Sequence, residues 1–160
     1  MADHSQALET FAKGYDALVA SLEGVAKEDL TFQRAPEKWS IQEIVIHVAD
    51  TELGVASRVK QIVSEERPVI QPSDQDLWAT HLHYQLQDLS LALEQFRAVR
   101  AATIPLLEHL PAQAWERVGV HPTRGSMTVL QLVDLYGTHV MKHVAQIEEI
   151  KDILALRHSH

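Results

Sequence analysis

The stretch TVLQLVDLYGTHVMKHVAQIEEIKDIL, residues 128–154, decides the fold, because its apolar positions recur at steps of three and four residues. This period places them on one side of an α-helix, as a long stripe that needs a partner surface. Thr128 and Gln131 form a capping box that begins the helix. The residues of the stripe are Val129, Leu132, Val133, Tyr136, Val140, Val144, Ile147 and Ile150.

Three earlier segments carry the same period and predict three more helices. Ser40 and Glu43 form a second capping box, and Arg67-Pro68 ends the helix that starts there, since proline disfavours helix at the residue before it. Ser73 or Asp74 is expected to cap the next helix. The helices are predicted over about residues 5–23, 41–66 and 74–110.

The remaining segments predict connections rather than further elements. Residues 111–125 are expected to form a short helical turn around Trp115 followed by an irregular loop, and no segment predicts a strand. Four amphipathic helices joined by modest loops are typical of an all-α four-helix bundle. We therefore predict one domain over residues 1–156 and a C-terminal tail over residues 157–160.

Composition narrows the functional classes. The chain of 160 residues has a net charge of −8 and scattered basic residues, which argues against nucleic acid as a partner. It has no cysteine, which excludes disulfides, thiolate nucleophiles and cysteine-ligated zinc. No apolar run is long enough to span a membrane and no signal peptide is recognisable, so a cytoplasmic protein is expected.

Three histidines lie beside the apolar stripes of two predicted helices, and two of them, His139 and His143, occupy positions where a bundle would normally place leucine. His139 and His143 are one turn apart on the edge of the last helix's stripe, and His47 lies on the flank of the second helix. Two imidazoles at this spacing can bind one ion, and a third from a facing helix would leave an open coordination position. The spacing alone is a weak signal, because ten histidines make such a pair common by chance.

The segments Trp39-Ser40, His47-Val48-Ala49-Asp50-Thr51-Glu52 and His139-Val140-Met141-Lys142-His143, in this order, resemble the DinB-like superfamily of DinB/YfiT-type metal-binding bundles. The resemblance implies an up-down-down-up bundle with a divalent ion, typically nickel or zinc, on His47, His139 and His143. It also implies that the ion activates a small thiol such as bacillithiol or mycothiol, because the superfamily includes thiol-dependent S-transferases.

Three functional hypotheses follow for a metal centre of this kind. The first is transfer of a low-molecular-weight thiol to a small electrophile, the second is hydrolysis by metal-bound hydroxide, and the third is metal binding without turnover. Arg58 and Trp78 are candidate substrate-binding residues, and no catalytic residue is assigned. A small-molecule substrate is expected, and Ile46, on the polar side of its helix, suggests a homodimer contact.

Other polar residues have structural interpretations. Glu52, on the apolar stripe, is expected to pair with an arginine such as Arg100, because a lone buried carboxylate is costly. Asp50 and Glu43 flank His47 and are candidates to orient its ring. Four histidines are expected near the surface, namely His81, His83, His109 and His121. Three tryptophans are expected to be packing anchors, namely Trp39, Trp78 and Trp115.

Overall fold

A computed structural model describes residues 3–160 and consists mainly of helices. Four of the helices are long and form the bundle, while α3 is a short helix between the second and third of them. The helices are α1 His4–Ser21, α2 Ile41–Ser64, α3 Gln75–His81, α4 Leu89–Glu108 and α5 Val129–His158. None of them combines the length and apolar character that a membrane crossing requires.

The helix starts follow local hydrogen bonds that the sequence predicts. Ser40 and Thr128 each accept the N–H of the residue three positions on, Glu43 or Gln131, whose side chain bonds back in a capping box. Asp74, one of the two predicted caps, begins α3. The predicted ends of the first two helices are close to those observed, and α5 continues to His158.

Contacts between helices establish the up-down-down-up topology. Gln95 donates a hydrogen bond to the Ala49 carbonyl and Arg100 binds Glu52, so residue numbers rise together along α2 and α4 and these helices are parallel. Between α2 and α5 the numbers run in opposite directions, because Arg58 bonds to Tyr136 while the earlier His47 approaches the later His139. The predicted bundle topology is confirmed.

The prediction of one continuous third helix over residues 74–110 is wrong. His83 adopts φ 51°, a left-handed conformation that interrupts the helical hydrogen bonds, and a 3-10 turn at Tyr84–Leu86 follows. Asp88 then caps α4 by accepting the N–H groups of Ser90 and Leu91. The Tyr84 side chain is buried in the core, whereas Leu77, Leu82 and Leu86, which the continuous helical pattern over residues 74–110 would place on its apolar face, are exposed.

The segment predicted to be an irregular loop contains a β-hairpin. Strands β1 Val118–His121 and β2 Gly125–Thr128 pair antiparallel, with Val118 opposite Thr128. Gly125 has φ 73°, which favours glycine in the turn. The predicted helical turn around Trp115 is observed as a 3-10 turn at Ala112–Glu116. The strands were missed because four residues each are too few to show a period of two.

The N-terminal half of α2 is surrounded on all sides. The backbone N–H of Gln42 bonds to the Leu30 carbonyl, and its side chain bonds to the Tyr84 carbonyl, so the preceding loop and the 3-10 turn both cover this part of α2. Ile46 is consequently buried in the core at 1% exposure. The prediction that Ile46 lies on a polar face is wrong, and the expected homodimer loses the contact residue that suggested it.

Candidate metal centre

Three imidazole rings from α2 and α5 converge in the structure. The Nε2 atom of His139 lies 3.2 Å from Nε2 of His47 and 3.1 Å from Nε2 of His143. One ligand nitrogen from each ring lies within 4.8 Å of the other two, which makes these residues a cluster that could hold a metal ion. The structure therefore brings together the three histidines that the sequence singled out as candidate ligands.

Each ring is supported by packing and by neighbouring polar atoms. His47 and His143 are buried, and the Trp39 ring packs against both, with centroids 4.7 and 6.4 Å away. The Gln146 amide oxygen lies 2.8 Å from Nδ1 of His143 and accepts its proton. Thr51 Oγ1 lies 3.5 Å from Nδ1 of His47. Trp39, which the sequence suggested only as a packing anchor, thus forms one wall of the site.

The two carboxylates proposed to orient His47 do not reach it. Glu43 accepts hydrogen bonds from the Ser40 backbone and from Gln85, because it completes the capping box of α2. Asp50 accepts a 2.7 Å hydrogen bond from the buried hydroxyl of Tyr84. That prediction is wrong, and the residues beside the rings are neutral amide and hydroxyl groups instead.

The environment keeps the three imidazoles neutral. Burial lowers the pKa of His47 to about 3, and the repulsion that a protonated His143 or His139 would exert lowers it further. Burial is also the main reason that the pKa of His139 falls to about 3, followed by the charge of His143. The pKa of His143 is lowered by burial, against an opposing effect of its bond to Gln146. Neutral rings have the free lone pairs that metal ligation requires.

These pKa values predict that the metal-free protein loses stability on mild acidification. Histidines in the unfolded chain take up protons below about pH 6.5, whereas His47 and His139 remain neutral until about pH 3. The unfolded state then binds more protons, and the free energy of unfolding falls by up to about 1.4 kcal/mol per ring and pH unit. The loss begins below pH 6.5 and is complete near pH 3.

Urea unfolding of chelator-treated protein at pH 7.5 and 5.5 measures this effect. A variant with His47→Gln and His139→Gln should show a smaller pH dependence, whereas the exposed control His81→Gln should behave like the wild type. If the free energy of unfolding fell by the same amount between pH 7.5 and pH 5.5 in all three proteins, the effect could not be assigned to these rings.

The donor set fits a divalent cation. Because Gln146 takes the Nδ1 proton of His143, the Nε2 of His143 is an acceptor. Nε2 of His139 carries one proton at most, so only one of its two close contacts, to His47 or to His143, can be a hydrogen bond in the metal-free protein. Ligand nitrogens around a tetrahedral zinc ion lie about 3.3 Å apart, close to the spacing of these rings.

A cleft of about 670 Å³ gives access to the histidines from one side. His47 and His139 line this cleft, and so do Arg58 and Trp78, the two candidate substrate-binding residues. Arg58 donates hydrogen bonds to the Tyr136 hydroxyl at 2.7 Å and to the Gln71 carbonyl at 2.6 Å, and Trp78 is 40% exposed. The cleft is large enough for a small-molecule substrate.

The four histidines that the sequence analysis placed near the surface separate into two groups. His81, His83 and His109 are exposed, as the sequence suggests. His121 instead lines the cleft with the neighbouring Arg124, although the sequence placed it in a loop. No local signal marked His121, because its position depends on how the hairpin packs beside α2.

The fold and the cluster together define a four-helix bundle with a candidate three-histidine metal centre. The sequence profile of the DinB superfamily matches residues 10–147, and the chain belongs to this superfamily. The structure of YfiT from Bacillus subtilis, described as a probable metal-dependent hydrolase with an unusual four-helix bundle topology, superposes with a TM-score of 0.88 and 24% identity. That match covers 95% of this chain and 87% of YfiT, and it shows the shared fold.

Two further relatives carry the name "putative metal-dependent hydrolase". A protein of Oceanobacillus iheyensis is 30% identical over 112 residues, which are 70% of this chain and 64% of that protein. A protein of Halalkalibacterium halodurans is 25% identical over 142 residues, which are 89% of this chain and 81% of that protein. The match to the first relative thus spans less than two thirds of its length.

Proposed function

We propose that the protein is a metal-dependent enzyme whose divalent ion, nickel or zinc, is held by His47, His139 and His143. The observation that carries this proposal is the convergence of three Nε2 atoms from two helices, with separations of 3.1 and 3.2 Å about His139. A divalent ion with three imidazole ligands supplies a Lewis acid that lowers the pKa of water or of a thiol at its open position.

The residues around the centre prepare it for such chemistry. Gln146 fixes the tautomer of His143, so that Nε2 faces the other two rings. The Trp39 ring packs against His47 and His143 and forms one side of the centre. The cleft leaves the side of His47 and His139 open to a substrate.

The reaction we propose is transfer of a low-molecular-weight thiol to a small electrophile. Its support is the neutral surroundings of the rings, since no carboxylate among residues 3–160 joins the histidine cluster. Hydrolysis commonly needs a base to take a proton from the attacking water, whereas a thiol of pKa about 8.5 needs only a modest decrease to ionise. The absence of cysteine fits a sulfur nucleophile that a cosubstrate supplies.

Metal-dependent hydrolysis is the second candidate. The names of the relatives favour it, and Asp50 lines the same cleft and could accept a proton from water. Its carboxylate is already bonded to Tyr84, and it makes no contact with the three rings. For this reason we place hydrolysis after thiol transfer.

Paired assays on the metal-loaded protein distinguish these reactions. In the first, a thiol displaces chloride from monochlorobimane, with formation of a carbon–sulfur bond and release of the thiol proton to solvent. A thiol transferase accelerates this reaction only when metal and thiol are both present, and a hydrolase instead cleaves a nitrophenyl ester without thiol. Activity in neither assay, with either zinc or nickel, would leave metal binding without turnover as the interpretation.

Replacement of Gln146 by leucine is expected to weaken metal binding by about 10- to 100-fold, the usual effect of losing a partner that orients a histidine ligand. The physical reason is the 2.8 Å hydrogen bond that holds His143 in the correct tautomer. A competition titration with a zinc indicator measures the affinity. The exposed control Gln6→Leu, on α1, should leave it unchanged.

A further inference from the structure

A group of cationic and donor side chains lines the cleft on the side of the β-hairpin. Arg58 comes from α2, while His121 ends β1 and Arg124 lies in the turn between β1 and β2. The Arg58 guanidinium lies 5.9 Å from the centroid of the Tyr136 ring, whose own centroid is 5.6 Å from that of His139. The Tyr136 ring therefore lies between Arg58 and His139.

Arg58 is held in place without a neutralising partner. Its two hydrogen bonds go to the neutral Tyr136 hydroxyl and the Gln71 carbonyl, and no carboxylate oxygen within residues 3–160 lies within salt-bridge distance. The bonds orient the guanidinium, and its remaining N–H groups stay available for a ligand. The arginines that do form salt bridges here, Arg34, Arg97 and Arg100, lie elsewhere in the bundle.

The hairpin turn presents a further donor. Nδ1 of His121 accepts the backbone N–H groups of Thr123 and Arg124, at 3.2 and 3.1 Å, so the ring proton is on Nε2. This Nε2–H has no hydrogen-bond partner in the described part of the chain. The pKa of His121 is lowered by partial burial and by the nearby charges of Arg124 and Arg58.

The charge balance of the cleft differs from that of the whole protein. The chain carries a net charge of −8, yet Asp50 is the single carboxylate that lines the cleft in residues 3–160, against two arginines. Asp50 is bonded to Tyr84 and precedes Arg58 by eight residues on α2, which corresponds to ~12 Å along the helix. Arg58 is therefore well separated from Asp50, so this carboxylate does not neutralise it.

We propose that Arg58, Arg124 and the Nε2–H of His121 form a site for the anionic group, a carboxylate or a phosphate, of a small-molecule substrate or cosubstrate. The proposal rests on the proposed function for its reactive end, which is the histidine cluster. Leu53, Val69 and Trp78 are exposed apolar side chains that also line the cleft, so the ligand has an apolar body. Arginine suits this role because its planar donors match the oxygens of both anions.

Chemical-shift titration of the full-length chain with inorganic phosphate and, separately, with succinate tests this site. Each titration is made at low salt on metal-free and on zinc-loaded protein, because phosphate can also bind zinc directly. We expect binding to both the metal-free and the zinc-loaded protein, with chemical-shift changes at Arg58 and Arg124. The anion that binds more tightly indicates whether the ligand carries a phosphate or a carboxylate. Arg58→Gln should weaken binding about tenfold, the effect of one charge-assisted hydrogen bond.

The variants separate anion binding from folding and from metal binding. Arg124→Gln removes an exposed side chain and should weaken binding without affecting the fold, while Arg157→Gln, near the far end of α5, is the matched control. No binding of either anion, or equal binding by all variants, overturns the proposal. If zinc fails to bind while the anion still binds through Arg58, the proposed function fails and the anion site stands.

Discussion

Replacement of His143 by alanine is expected to reduce tightly bound divalent metal from about one equivalent per chain to almost none. The variant loses one of three converging nitrogens and also the ring that Gln146 orients. Because loss of an orienting partner alone costs 10- to 100-fold, loss of the ligand should weaken affinity by more than about 100-fold. Elemental analysis of purified protein and an indicator titration measure stoichiometry and affinity.

The control for this experiment is His81→Ala, which removes an exposed histidine outside the cluster. It should retain the wild-type stoichiometry. Circular dichroism of the metal-free proteins separates loss of the ligand from loss of the fold, since His143 is buried. Equal metal content in His143→Ala and wild type would count decisively against the proposed centre.

The largest effect on stability is expected from Glu52→Gln. Glu52 and Arg100 are 2% exposed and form two hydrogen bonds, at 2.9 and 2.6 Å, as the sequence predicted. The arginine also lies over Phe11 and Phe96, so it cannot move to solvent without disrupting the core. A buried guanidinium without its carboxylate should lower the free energy of unfolding by about 3–5 kcal/mol. Urea unfolding measures the loss.

Two comparisons test the cause of this loss. Glu94→Gln removes the partner of Arg97 in an exposed pair and should change the free energy of unfolding little, because solvent screens such pairs. The double variant Glu52→Leu with Arg100→Met removes both charges and should recover much of the stability, because apolar replacements of a buried pair are often well tolerated. A single variant as stable as the wild type would show that the pair contributes little.

The predicted third helix shows where periodicity misleads. Leu77, Leu82 and Leu86 keep helical spacing, but Leu86 is 83% exposed and Tyr84, two residues before it, is buried. A period indicates which residues would share a face, and it does not say that this face meets the core. The left-handed His83 and the Asp88 cap divide the segment, and neither residue type requires a break.

Interactions between residues close together in the chain account for most of what the sequence predicted correctly. The capping boxes of α2 and α5 involve residues three positions apart, and the pair His139 and His143 shares a helix edge through the α-helical repeat alone. Such features are decided within one or two turns of chain. They can therefore be derived from the amino-acid order, whatever the rest of the bundle does.

Long-range geometry depended on packing. His47 meets His139 across 92 residues, and the hairpin brings His121 and Arg124 beside Arg58, although no spacing in the chain relates these positions. The resemblance to the superfamily suggested that His47 lies near His139. No sequence signal suggested that the hairpin residues lie near Arg58. Which side chains share a cleft follows from how helices cross and loops close over them, and this depends on the summed contacts of the whole core.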